Sequence, residues 1–193
     1  MDKFDTAHTF AMRWALGQTM YESLGGYSHH GVSINFLIAF SADRDNYKWL
    51  KDNDFHPLPI TRTTIRNITE QQARGVYRRE YWDALGLDNM PAQMACILYD
   101  TAIVYGKDVA VMVAQQGYNK CVLHGVKLPV DGVMDYETRK ALCATNNPKV
   151  WDAIIEVRKK HGDTVASKMP RYAGMQEVWL KRANALHTLV ERI

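Results

Sequence analysis

The chain has 193 residues, 47% hydrophobic and 23% charged, with 24 lysines and arginines against 21 acids. That length suits one sizeable core and is short for two independent ones. A formal charge of +3 falls short of the basic stripe of a nucleic-acid binder, although it suits an anionic surface. No apolar run is long enough to span a bilayer, so no membrane role is expected.

Phe10, Trp14, Met20, Tyr21 and Leu24 leave one side of Thr6 to Leu24 apolar, which predicts a first helix stopped by Gly25-Gly26. The N-terminus before it, Met1-Asp2-Lys3-Phe4-Asp5, is acidic and lacks the apolar segment of a secretory signal, so a leaderless soluble chain is expected. After a short loop to Gly31, Val32 to Phe40 suits a buried helix continuing toward Leu50, and its β-branched start also allows a short strand. Asp52 to Pro59 is a polar connector, and Thr61 to Ile68 reads as irregular or a short turn. A helix then begins at Thr69, with Gln72 completing a capping box, and runs through Ala73, Val76, Tyr77, Tyr81 and Trp82.

Pro91 opens a helix in which Asp100 stands among apolar residues, the position of a structural carboxylate capping a neighbouring helix. Lys107 to Gly117 forms another helix, bearing Gln115. A small hairpin is expected near 126–133, turning at Asp131-Gly132. Two longer amphipathic helices close the chain, Val150 to Ser167 and Tyr172 to Ile193, parted at Met169-Pro170. Arg158-Lys159-Lys160 reads as a solvated face. Cys96, Cys121 and Cys143 form no Cys-x-x-Cys pair and are expected to stay reduced. His29 and His30 are adjacent and expected to point apart, so no metal site is expected, and no nucleotide-binding glycine pattern appears.

Several of these phrases together carry a resemblance. Gly25-Gly26-Tyr27 follows a helix as in Glu-Gly-Gly-Tyr; Thr69 to Asp83 is similar to T-x-E-E-A-x-x-I-Y-R-R-x-Y-W-D; Leu98-x-Asp100-x-Ala102 resembles L-x-D-x-A; and Val130-Asp131-Gly132 with Thr138 to Leu142 resembles V-D-G-x-x-G-x-x-T-x-x-A-L. They resemble the lysozyme-superfamily muramidases that include phage endolysins and secretion activator proteins. The resemblance implies an all-α, lysozyme-like single domain of about seven or eight helices, with 1–106 muramidase-like and 107–193 peptidoglycan-binding-like, packed as one unit. It also implies peptidoglycan glycan strands as partner, no cofactor, and a place in the bacterial cytoplasm or a phage virion.

Two departures bear on activity. The family's catalytic Glu immediately precedes Gly-Gly-Tyr, and here that residue is Leu24. The cleft-forming loop that follows is reduced to Ser28-His29-His30. Glu22 is the nearest carboxylate and the candidate acid, but on a helix a two-residue step turns a side chain about 200° away from Leu24. Tyr27, Ser33, Tyr81 and Trp82 are the candidate substrate-binding residues; Tyr81 and Trp82 read either as helix-end packing or as an aromatic wall for sugar rings. The functional expectation is a weak or inactive muramidase-like protein directed at peptidoglycan. The alternatives are a non-catalytic glycan binder and a structural component with phage virion or self-assembly partners.

Overall fold

The computed structural model describes residues 2–14, 21–23, 26–122 and 126–193, with the backbone alone at 21–23. The chain forms two compact units, Ala11–Glu80 and Met1–Phe10 with Tyr81–Ile193. Helix α1 spans Lys3–Trp14 among the described residues, within the helix expected to end at Leu24.

In the first unit residues 21–23 of that expected helix form a strand instead, and 15–20 and 24 lie outside the described residues. Strands β1 (Tyr21–Ser23), β2 (Gly26–His29) and β3 (Val32–Ser33) pair antiparallel in chain order. Tyr21 lies opposite Ser28, Glu22 opposite Tyr27 and Ser23 opposite Gly26. Helix α2 (Ile34–Ser41) follows directly, so the short strand and the helix allowed by Val32 to Phe40 both occur, end to end. It stops before Leu50 because Asp43 starts a new helix, α3 (Arg44–Asp52), its carboxylate accepting from the amides of Asp45 and Asn46. The segment read as irregular is helix α4 (Arg62–Asn67), held by a capping box between Thr61 and Thr64. In α5 (Glu70–Tyr77) the expected capping box is present: the Gln72 amide donates to Thr69 Oγ1 at 3.1 Å and the Thr69 amide to Gln72 Oε1 at 2.9 Å. Leu37, Phe40, Leu50, Phe55, Ile65 and Val76 fill the core, and the Tyr77 hydroxyl ties α5 to the hairpin by donating to the Gly31 carbonyl at 2.8 Å. The helix then widens into a π-helical turn at Arg78–Asp83.

The second unit is built on α6 (Ala92–Tyr105), α7 (Lys107–Cys121), α8 (Tyr136–Cys143), α9 (Pro148–Lys168) and α10 (Gln176–Val190). Pro91 stands before α6 as the sequence predicts, and a short 3₁₀ turn, Pro170–Met175, fills the break at Met169-Pro170. Helices α7 and α9 pack closely because Gly117 has no side chain: a Cβ there would lie 2.5 Å from the Ile154 Cα. Among the described residues the count is ten α-helices, more than the seven or eight expected, because capping residues at Asp43 and Thr61 divide segments read as one or as none.

The hairpin expected near 126–133 does not form among the described residues. This loop bonds to side chains of α7 instead of to a second strand. Asn119 donates to the Leu128 carbonyl at 2.7 Å and accepts from the Leu128 amide at 2.8 Å. Buried Gln115 accepts from the amides of Asp131 (3.2 Å) and Gly132 (3.0 Å), and donates to Asp131 Oδ1, the Val133 carbonyl and Thr138 Oγ1. With its backbone groups satisfied this way, the loop gains nothing from a ladder. Gly132 is required, since its φ is +77° and a Cβ would sit 2.7 Å from the Asp108 carbonyl oxygen.

Candidate functional site

The hairpin carries Glu22, Tyr27 and Ser28, which the sequence places next to the expected catalytic position. Leu24 and Gly25 lie outside the described residues. Glu22 is in strand β1, not on a helix, so the rotation that set it against position 24 does not apply. In a strand the side-chain period is two rather than 3.6, and the helical reason for dismissing Glu22 falls away.

Tyr27, the strand partner of Glu22, is half-buried, and the Arg62 guanidinium carbon stands 5.3 Å from its ring centroid. That is cation–π distance, and it fixes the ring on the α4 side of the hairpin. Ser33 acts as N-cap of α2, accepting from the Phe36 amide at 3.2 Å.

His29 and His30 do not point apart. Their ring centroids are 4.1 Å apart, because His30 adopts a left-handed backbone with φ of 48° that folds its ring back over its neighbour. Nδ1 of His29 lies 3.2 Å from the Ile65 carbonyl oxygen, an acceptor only, so that nitrogen carries the proton and donates. Nδ1 of His30 is buried without a hydrogen-bond partner. Burial, and next the His29 charge, lower the His30 pKa, with Glu70 opposing. His30 is therefore neutral at neutral pH, and among the described residues no group of three or more metal-ligating side chains forms.

Tyr81 and Trp82 belong to the other unit. Trp82 is 0% exposed, packed edge-on against Phe4 (5.2 Å) and Tyr99 (5.6 Å), with its indole N–H donating to Asp88 Oδ1 at 2.8 Å. A ring enclosed this way has no face for a sugar. Half-buried Tyr81 meets Tyr99 edge-on, centroids 6.5 Å apart. The two sequence motifs therefore supply Tyr27 and Ser33 to the hairpin unit, and Tyr81 with Trp82 to the helical one.

Asp100 is wholly buried, and it caps no helix. Arg182 grips it with Nε at 3.1 Å from both oxygens and Nη2 at 2.6 Å from Oδ1, while Arg158 Nη2 donates to Oδ2 at 2.5 Å. Burial alone raises the Asp100 carboxyl, but the charges and hydrogen bonds of the two arginines reverse this and hold it below its ordinary range. A carboxylate so held cannot act as a general acid. Arg158 is 1% exposed, which corrects the reading of 158–160 as a solvated face. Its position was legible: it follows Ile154 by four residues and Ile155 by three, on the apolar stripe of α9. Nearby Cys96 is pushed up to about 12 by burial and by Asp100, which leaves it an unreactive thiol.

A helical protein whose small sheet is one hairpin-based ribbon, with a tightly packed helical unit beside it in the sequence, is lysozyme-like in class. Residues 21–106 match the family model of Glycosyl hydrolase 108, and the resemblance drawn from the sequence is borne out. The structure of Brucella abortus SagA is similar to this one, with a TM-score of 0.73 at 17% identity, covering 98% of this chain and 94% of that one. No curated protein sequence matches the chain.

Proposed function

We propose that the protein is directed at bacterial peptidoglycan, that its muramidase chemistry is weak or absent, and that any lysis it performs passes through Glu22. The carrying observation is that the Glycosyl hydrolase 108 match covers the hairpin segment, while Leu24 stands where that family's acid is expected. Hydrolysis of a glycosidic bond needs a carboxylic acid beside the leaving oxygen and a second group opposite. Leu24 offers neither proton nor charge. Glu22 is a carboxylate on the adjoining strand, across the ladder from Tyr27, which supports it as the residual acid. The short Ser28-His29-His30 turn leaves little loop to position a sugar, which favours binding over turnover.

Two measurements test this. Purified sacculi should retain the protein in a pull-down, and a turbidity assay should show slow clearance or none, abolished by Glu22→Gln. Rapid clearance that survives Glu22→Gln overturns the assignment of the acid. Failure to be retained on sacculi overturns the wall-directed reading and leaves the non-enzymatic virion or self-assembly component.

A further inference from the structure

In the second unit a pocket of about 400 Å³ opens between the start of α7 and the loop pinned by Gln115. Leu85, Val111, Val133 and Met134 form its apolar wall, and Lys107, Asp108 and Asp131 add one positive and two negative side chains to the lining. That volume is within the usual range for a small-ligand site. The loop that carries part of this lining is apolar as well: of ten large hydrophobic residues exposed among the described ones, four, Val126, Val130, Val133 and Tyr136, fall within 126–136, and Val133 also lines the pocket. Apolar residues on a mobile loop would fold inward, but this loop is held by backbone bonds to Asn119 and Gln115. Its exposure is built in, and the pocket is formed before any ligand arrives.

We infer that this pocket binds a short peptide carrying free carboxylate and ammonium groups, with small apolar side chains between them. Naming that peptide as the peptidoglycan stem rests on the wall-directed reading above. The chemistry of the lining selects it. A glycan strand of N-acetylated sugars presents hydroxyl and uncharged acetamido groups and binds by laying C–H faces on aromatic rings, whereas no lining residue of this pocket is aromatic. A stem peptide alternates methyl side chains with carboxylates and an amine. Its methyl groups match the Leu85, Val111 and Val133 wall, its carboxylate the Lys107 ammonium, and its amine the Asp108 carboxylate. Such a site would anchor the protein on the peptide rather than on the sugar chain.

The test is a nitrogen-15 NMR titration of the full chain with a synthetic stem pentapeptide, with chitotetraose, and with the same pentapeptide neutralised at every amine and carboxylate. The charged peptide should shift the amides of Lys107, Gly132 and Val133, with roughly millimolar affinity as befits one small pocket. Val133→Arg, which crowds the mouth without touching a backbone bond, should weaken binding about tenfold or more. Lys107→Met should weaken it with the melting temperature held, and the neutralised peptide should bind as poorly. Absence of shifts at millimolar charged peptide overturns the proposal. Equal shifts from chitotetraose at the same amides overturn it too. Sacculus retention without peptide binding leaves the wall-directed reading standing and the pocket assignment refuted; peptide binding without sacculus retention does the reverse.

Discussion

Replacing Asp100 by Asn keeps the shape of the side chain and removes one negative charge from between two buried guanidiniums. The native cluster already carries two cations on one carboxylate, and Nε and Nη1 of Arg158 have no hydrogen-bond partner in it. Losing the carboxylate leaves Arg158 (1% exposed) and Arg182 (7% exposed) buried with no counter-charge at all. Breaking a buried pair from one side costs about 3–5 kcal/mol, which for a chain of this size lowers the melting temperature by roughly 6–20 °C. Replacing all three residues with apolar ones should recover much of the loss, because no charge then remains to be desolvated. The pH dependence gives a second reading. With its folded pKa depressed, Asp100 contributes stability that is fully present above the unfolded value of about 3.9 and is lost as pH falls below it through the folded pKa. The gap between wild type and Asp100→Asn should therefore be constant from neutrality down to about pH 5 and close below pH 4. Thermal melts by circular dichroism across that range decide it. A variant that melts within about 2 °C of wild type at pH 7 refutes the reasoning, as does a gap that widens in acid.

Gln115→Ala should destabilise by about 2 kcal/mol or more, because the Asp131 and Gly132 amides lose their acceptor; faster amide exchange at those two residues is the local check. Gly117→Ala should lower the melting temperature measurably, about 1–3 kcal/mol for forcing α7 off Ile154, with no change at the hairpin. Leu24→Glu alone should not produce an efficient muramidase in a turbidity assay, since the short Ser28-His29-His30 turn still lacks groups to place sugar and water, a deficit worth about 10²-fold. Full lytic activity from that single change would show that the loop is dispensable.

What the sequence disclosed was local. Thr69 with Gln72, Pro91 before α6 and the Asp131-Gly132 turn are each written within a few neighbouring residues, and each is found where expected. The hairpin was missed because apolar residues from Phe10 to Leu24 happen to fit a helical stripe, while the pairing that competes with it joins separate strands, 21–23 to 26–29. The Asp100 cluster was missed for a stronger form of the same reason. Its partners lie 58 and 82 residues away, and an arginine on a helix reads as solvent-facing until the carboxylate that neutralises it is known. Trp82 showed the reverse: an aromatic pair that reads equally as a sugar platform or as core is decided only by Phe4, Tyr99 and Asp88 closing around it.

The loop from Val126 to Val133 takes its course from two amide side chains that, within the loop, grip backbone atoms at Leu128, Asp131, Gly132 and Val133, with one further bond to the Asp131 carboxylate. Any residue has an N–H and a C=O, proline aside. The identities of Val126, Lys127, Pro129 and Val130 are thus uncoupled from the shape of the loop they occupy, so mutation can rewrite the chemistry of that loop surface, trading apolar for charged or aromatic groups, while the scaffold beneath keeps one fixed form.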